Sequence, residues 1–422
     1  MFPWLRIVTL IILENEQYHL LKGLIVLVDE IKVCSKCGIC RSACPVFHVA
    51  NNEVMSPRGR ISLVEAMLEG KLSLSDRYVD TIRACIKCTR CADVCPSGVR
   101  PEKIIQSARE MLYDTSAIPD EIKELLHLTL DPEQFREFLN RQNTQSDPAD
   151  KLPLWWLPLM FHGKAYLPEL AEKTVLKIYP EYISTNGKLK VALFLGCAIN
   201  YSQTIIVDSV IDVLNKLGVD VFLPKDQICC GAPLLFYGDR EGAKEMAKRN
   251  VKALKYDEFD AVITLCPACG VTLKQEYDRI LGDGAEKFIS KVYDVSEFIS
   301  KFVEIPSQRM DVSVTYHDPC YLRLSQKVFK EPRQILKNTT NFIEMKDANK
   351  CCGLGGTLGL FHPEISMKIG ESKVRNIMQS GADIVATGCP GCITFIKHLL
   401  KQNNINKEVL HTVQVIQRSL SA

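Results

Sequence analysis

The sequence predicts an α+β multidomain protein: a helical metal-binding module, then an α/β unit present twice. Three observations lead there. The 18 cysteines of the 422-residue chain fall into two unlike spacing classes. The second class recurs at a nearly constant offset along the chain. Short apolar strands alternate with helical segments and end at those same cysteines.

A chain of this length predicts two to three domains. It is long enough to bury real cores without disulfide staples. Its apolar fraction of 46% and charged fraction of 24% are those of an ordinary soluble globular protein, which excludes disordered and fibrous classes. Lys+Arg and Asp+Glu number 52 and 50, a formal charge of +2. Nothing there resembles the basic stripe that nucleic-acid binding requires, so no nucleic-acid partner is expected. At the N-terminus, apolar runs at Phe2–Leu13 and Leu20–Val28 are too short to span a membrane. No small-residue cleavage site follows them. Residues 1–29 therefore read as an extension ahead of the functional fold, with an interfacial membrane anchor as the alternative. The expected compartment is the reducing cytoplasm, with a peripheral position at the inner membrane face left open. There, patterned cysteines mean metal or catalysis rather than disulfides.

The first cysteine class is Cys34, Cys37, Cys40 and Cys44-Pro45, then Cys85, Cys88, Cys91 and Cys95-Pro96. Each reads C-x2-C-x2-C-x3-C-P, the two-cluster ferredoxin pattern, in which the fourth cysteine serves the other cluster. One cubane [4Fe-4S] cluster is thus assigned to Cys34, Cys37, Cys40 and Cys95, and a second to Cys85, Cys88, Cys91 and Cys44. Two four-cysteine zinc sites are the alternative, but the triple C-x2-C-x2-C run fits a cubane better. Between the motifs, Ser56-Pro57 reads as an N-cap with proline at the first helical position. Ile61, Val64, Met67 and Leu68 follow at helical spacing until Gly70. Further helices are expected over Asp76–Ala84 and Pro101–Leu112. The first domain is therefore a helical two-[4Fe-4S] ferredoxin domain, residues 30–114. Lys36, Arg41, Lys87 and Arg90 sit among the ligands, either raising a cluster's potential or acting as solvated docking charges.

The second class is Cys197, Cys229-Cys230-Gly231 and Cys266-Pro267-Ala268-Cys269, followed by Cys320, Cys351-Cys352-Gly353 and Cys389-Pro390-Gly391-Cys392. Equivalent cysteines lie 122 or 123 residues apart. Asp260/Asp383, Val262/Val385 and Thr264/Thr387 keep the same register, so the pattern is an internal duplication. Strands are expected at Lys190–Leu195, Val219–Leu223, Ala261–Leu265, Val312–Tyr316 and Ile384–Thr387. Helices are expected at Thr204–Leu217, Gly238–Leu254 and from about Val271. The cysteines then gather at the carboxyl ends of strands, where open α/β sheets place their sites. This is a duplicated α/β cysteine-rich domain, residues 188–305 and 306–422.

Five thiols per copy exceed the four that a cubane or a zinc ion takes. The adjacent pair in Cys-Cys-Gly could bridge two metals, giving a non-standard cluster. Otherwise one thiol stays reactive beside a four-ligand metal, or one copy packs its thiols as core. His317, three residues before Cys320, either caps a loop or donates a proton near a cluster. Gly353-Leu354-Gly355-Gly356 lacks the third glycine of a dinucleotide loop and reads as backbone hugging a cluster. No flavin or nicotinamide site is found, and no catalytic residue is assigned.

These motifs resemble a known family. The repeated Cys, Cys-Cys-Gly, Cys-x-x-Cys set resembles the cysteine-rich domain of heterodisulfide reductase catalytic subunits. The same domain follows a two-cluster ferredoxin module in the iron–sulfur subunits of glycolate oxidase, lactate utilisation and anaerobic glycerol-3-phosphate dehydrogenase. Pro57-Arg58-Gly59-Arg60-Ile61 and Cys95-Pro96-Ser97-Gly98-Val99 are similar to the glycolate oxidase subunit. The resemblance covers about residues 30 to 415. It implies one or two further non-cubane [4Fe-4S] clusters, on Cys197, Cys229, Cys230, Cys266 and Cys269 and on Cys320, Cys351, Cys352, Cys389 and Cys392. It also implies a partner flavin-containing dehydrogenase subunit that oxidises a 2-hydroxy acid, and a quinone or membrane-associated acceptor. The competing readings are a heterodisulfide reductase, in which the non-cubane cluster cleaves a disulfide, and a metal-bearing scaffold. Residues 115–187 read as a proline-rich linker. Within it, the apolar run from Leu154 to Phe161, with Trp155 and Trp156, either packs on the α/β body or docks a partner or membrane.

Overall fold

A computed structural model describes residues 28–115, 117–144, 160–161, 164–165, 170–282, 284–306 and 309–421. The apolar N-terminal runs and the Trp155-Trp156 segment lie outside the described residues.

The N-terminal module is built from helices that start where proline and capping residues direct. Ser56 accepts a hydrogen bond from the Gly59 amide and caps the helix Pro57–Leu68. Ser75 does the same for Asp76–Arg83, and Pro101 opens Pro101–Tyr113. Their apolar faces meet in one core containing Ile61, Val64, Ile82, Ile104 and Ile105.

Two sheets follow, and they share one topology. In the first, the strand order is Tyr182–Ile183, Val219–Phe222, Leu189–Phe194, Ala261–Thr264, Val292–Asp294. Only the Tyr182–Ile183 edge is antiparallel. In the second, the order is Asn341–Phe342, Ser313–Tyr316, Ile384–Thr387, Glu408–His411, all parallel. Without the extra edge, both read second, first, third, fourth strand, as a duplication requires. The central strands are buried throughout (Val219–Phe222, Ala261–Thr264, Ile384–Thr387), as parallel strands covered on both faces must be. One apolar core joins the copies: Val191, Ile263 and Val210 of the first pack into the same cluster as Val385, Val409 and Ile416 of the second. The repeats also exchange equivalent hydrogen bonds. Gln203 Nε2 donates to the Pro390 carbonyl at 2.7 Å, and its counterpart Gln326 donates to the Pro267 carbonyl at 3.2 Å.

The structure differs from expectation in two places. The stretch expected to be a linker carries helices Asp120–His127 and Pro132–Thr144, a short pairing of Met160–Phe161 with Lys164–Ala165, and the first sheet's antiparallel edge. Leu126 and Phe135 there are buried, so much of it belongs to the body. Pro119 and Pro132 flank the starts of these helices, positions at which proline opens a helix rather than breaking one. The helix expected from about Val271 begins earlier, at Pro267, and passes through a π-helical turn at Thr272–Glu276.

Asp294 closes a strand and caps the helix Val295–Phe302: its Oδ1 accepts from the Ser296 amide at 2.8 Å. It is 1% exposed, its Oδ2 has no hydrogen-bond partner, and burial raises its carboxyl to about 7. Lys274 and Glu297 are its charged neighbours. The ordinary value is 3.8, so the folded state holds this proton more tightly. Its contribution to stability is fully present below the ordinary value and is lost as pH rises through about 7. Asp294→Asn keeps a good cap and removes the ionisation. The variant is expected to melt higher than wild type at pH 8, with a smaller gain at pH 5.5. Circular-dichroism melting at both values checks this; an equal shift at both would exclude Asp294 as the titrating group.

Candidate metal centres

The two ferredoxin-type loops are copies at the backbone level. Lys36 and Lys87 take φ of 57° and 52°, and Gly38 and Thr89, two positions on, take 87° and 62°. Left-handed backbone at Lys and Thr is uncommon. Here it turns amides toward sulfur: the Lys87 N–H donates to Cys85 Sγ at 3.4 Å. Cys44 leaves its own loop to cap the helix Pro45–Ala50. It then lines a pocket together with Cys85, Cys88 and Cys91. Cys40 lies near enough to Cys34, Cys37 and Cys44 to feel their charge. Cys34 and Cys95 border the same apolar core.

Three arginines hold these loops, two of them buried, and the sequence alone gives them no such role. Arg58 donates to the Lys36 carbonyl at 2.9 Å and pairs with Glu53 at 2.6 Å, bracing the first loop. Arg60 is 1% exposed and donates to the Thr81 carbonyl at 2.9 Å. Burial pushes the Cys44 thiol up, and the Arg60 guanidinium opposes that shift. Arg109, also buried, donates to the carbonyls of Ile82, Arg83 and Cys85 at the entry to the second loop. Pro57-Arg58-Gly59-Arg60 was therefore the signal available in sequence. Gly59 is obligatory within it, because a Cβ there would sit 2.0 Å from the Glu53 carbonyl oxygen.

In each cysteine-rich repeat the five thiols form one chain of neighbours, in the same order. It runs Cys197, Cys229, Cys230, Cys269, Cys266 in the first copy. In the second it runs Cys320, Cys351, Cys352, Cys392, Cys389. The Cys197–Cys229 and Cys352–Cys392 sulfurs are 3.9 and 3.4 Å apart. Cys266 and Cys389 share the same backbone (φ −131°, ψ 117°), each at a strand's carboxyl end and each preceding a helix-opening proline. Adjacent buried thiols suit a polynuclear metal centre: they cannot all ionise unless bound cations supply the opposing charge. No thiol of the five stands apart from the rest in either copy. His317 is 1% exposed and shares a corner with Cys352 and Cys392. Its ring caps no loop, since neither nitrogen reaches a well-formed hydrogen bond.

The second ferredoxin-type loop meets the second repeat directly. Cys44, Cys88 and Cys351 share one buried cluster, with Cys320 packed against it. Tyr321 donates to the Ile86 carbonyl at 3.2 Å, Thr357 donates to the Arg83 carbonyl at 2.7 Å, and Arg90 donates to the Asn349 carbonyl. The glycine loop proves to hug protein: a Cβ at Gly355 would lie 2.8 Å from Ile86. Lys87 and Arg90 are thus docking groups within the chain; Lys87 pairs with Glu276 at 3.2 Å. Lys36 and Arg41 pair locally with Glu65 and Glu53. The first repeat also meets the module, through Glu276 and Arg279. Cys197 and Cys229 border a surface pocket shared with Phe135, Tyr201 and Lys225.

A 4Fe-4S dicluster domain model matches residues 30–99, and a cysteine-rich domain model matches twice, at 191–274 and 314–397. An uncharacterized iron–sulfur protein of Methanococcus maripaludis is 32% identical over 391 residues, which cover 90% of this chain and 71% of that one. The chain belongs to this family of cysteine-rich-domain iron–sulfur proteins. A family member of Bacillus subtilis, named as a probable glycolate oxidase iron–sulfur subunit, is 29% identical over 411 residues, covering 90% and 91% of the two chains. A Methanosarcina acetivorans protein, named as a subunit of dihydromethanophenazine:CoB–CoM heterodisulfide reductase, is 27% identical over 391 residues, covering 86% and 87%. The crystal structure of a hypothetical protein from Helicobacter pylori shares the fold at 10% identity, with a TM-score of 0.54 over 87% of this chain and 68% of that one.

Arg60→Met is expected to cost about 1.5–3 kcal/mol, the range for a lost hydrogen bond from a charged group. It should also deplete iron by about four atoms per chain, the content of one cubane. Iron-to-protein ratio and melting temperature measure both. Full iron retention would show that Arg60 serves the helix alone.

Proposed function

We propose that the chain is the iron–sulfur electron-transfer subunit of a flavin-dependent 2-hydroxy-acid dehydrogenase of the glycolate or lactate type. It takes electrons from a partner flavin subunit and passes them to a quinone or other acceptor. Cys34, Cys37, Cys40 and Cys95 would hold one cubane [4Fe-4S] cluster, and Cys44, Cys85, Cys88 and Cys91 the other. One or both of the five-cysteine sets would hold a further, non-cubane [4Fe-4S] cluster. Clusters so held supply one-electron redox chemistry, while the protein fixes their spacing and tunes their potentials.

The observation that carries this reading is the single apolar cluster uniting Cys44, Cys88 and Cys351, with Cys320 at its edge. Two candidate metal centres meet there across buried contacts, an arrangement that suits an internal electron route. The glycolate oxidase name of the Bacillus subtilis relative supports the substrate class. Among the described residues no helix is long and apolar enough to cross a membrane.

One observation favours a second reading. The surface pocket at Cys197 and Cys229 would give a small molecule access to the first repeat. That suits reduction of a disulfide, the activity named for the Methanosarcina relative.

Anaerobic purification from the native host, with metal, acid-labile sulfide and flavin analysis, separates the readings. Iron, sulfide and a co-eluting flavoprotein active on glycolate or lactate are expected. Elution alone with disulfide reductase activity would favour the second reading. Zinc without iron would leave only a metal-bearing scaffold.

A further inference from the structure

The two cysteine-rich centres have equivalent cysteines but different surroundings. In register, His317 of the second copy replaces Phe194 of the first, and Lys373 replaces Asn250. All four are buried. Asn250 is fully engaged. Its amide donates to the Cys229 carbonyl at 2.9 Å and to Tyr277 at 3.1 Å, and its oxygen accepts from the Ile228 amide at 2.9 Å. Lys373 donates to the carbonyls of Asp347 and Ala348, close to Cys351 and Cys352. The first centre therefore has a neutral amide where the second has an ammonium group.

His317 departs further. The backbone around it is fixed: its N–H donates to the Ala386 carbonyl at 2.9 Å, and the Asp318 N–H donates to the Ala348 carbonyl at 3.1 Å. The Asp318 carboxylate takes a two-pronged hydrogen bond from Arg333, both prongs 2.7 Å. This loop aims the imidazole into the cysteine corner, where one ring nitrogen and the sulfurs of Cys352 and Cys392 all lie within 4.8 Å of one another. The ring is almost sealed from water; the Ala348 carbonyl lies beside it, but neither nitrogen reaches a well-formed hydrogen bond. A buried imidazole left without a well-formed hydrogen bond costs free energy, which a group held in that corner would offset. In the first copy Phe194 stands where the imidazole would be, and the Thr272 hydroxyl lies against Cys230 instead. A Cβ at Gly196 would touch Cys269 Sγ at 2.6 Å and the Phe194 ring at 3.7 Å.

We propose that His317 is an additional, nitrogen-donating member of the second-repeat metal centre, in contact with the cluster held by Cys320, Cys351, Cys352, Cys389 and Cys392. The contact makes the two centres of the chain inequivalent. It rests on the cluster reading given above. With the nearby Lys373 ammonium it stabilises the more reduced, more negative state, so the second-repeat centre has the higher potential.

The test uses the full chain, purified anaerobically after growth on 15N-histidine and examined by pulsed electron paramagnetic resonance alongside a redox titration. Wild type is expected to show a 15N-histidine coupling on one centre. His317→Phe, which copies the first repeat, should abolish that coupling and lower that centre's midpoint potential. Phe194→His should introduce a second coupling from the first repeat, an expectation that stands even if His317→Phe folds poorly. Full iron content with no histidine coupling in wild type, or a coupling that survives in folded His317→Phe, overturns the proposal and leaves the cluster reading intact. About eight iron atoms per chain, the content of two cubanes, or zinc held in the second repeat, would overturn both.

Discussion

Cys352 and Cys392 hold their sulfurs 3.4 Å apart in a site almost closed to water. Neighbouring thiols and burial together push Cys392 up, and burial does the same to Cys88 and Cys91 in the N-terminal module. Groups so placed bind poorly as thiols and cannot accumulate charge as thiolates unless cations share the site. Much of the architecture follows from bringing sulfurs this close. The chain must approach each centre from several directions. It does so on the short loops after parallel strands, where backbone amides point outward and side chains converge. Cys266-Pro267 and Cys389-Pro390 begin helices there with identical geometry, which fixes two sulfurs of each set relative to the sheet.

Duplication also serves the packing. The first repeat has a core of its own on one face of its sheet, around Phe194, Met246 and Phe288, and shares the other face. There Val210 and Ile416 lie in one continuous apolar cluster, with Ser209 bonded to Gln417 across it. The paired bonds of Gln203 and Gln326 then fix the cysteine loops of each copy against the other. Equivalent ligands within unequal surroundings, Phe194 and Asn250 against His317 and Lys373, are what a duplicated carrier needs if its two centres are to differ in potential.

Much of this was legible in the sequence because cysteine spacing and strand periodicity are local. Ile384–Thr387 is legible to the residue, and Ala261–Leu265 to within one, because buried parallel strands are short unbroken apolar runs. What was not legible depends on distant partners. Arg60 stands in a motif of the family, but its role shows only when the Thr81 carbonyl appears beside it. Gly355 reads as a cluster loop until Ile86 packs on it. The helices Asp120–His127 and Pro132–Thr144 were hidden by prolines that mark their starts. The closeness of Cys44 to Cys351 links positions some 300 residues apart, and no periodicity encodes it.

The contact between module and repeats is polar as well as apolar, and this bears on its purpose. Glu276 sits between Lys87 at 3.2 Å and Arg279 at 2.9 Å, and Arg279 reaches on to Glu110 at 2.6 Å. Burial alone would raise the Glu276 carboxyl, yet the two cations hold it down at about 2. Buried networks of this kind contribute little net stability, because desolvation offsets most of the attraction. An apolar patch would bind as well and tolerate sliding. An ion-paired network tolerates very little, since displacement strands a buried charge. In an electron carrier the rate depends on the separation between centres, so a joint that fixes position is worth its desolvation cost. Lys87 is central to that joint: it stands within the second cysteine loop, and its ammonium contacts both Gln106 of the module and Glu276 of the first repeat. One residue thereby ties the metal loop, its supporting helix and the neighbouring domain into a single geometry.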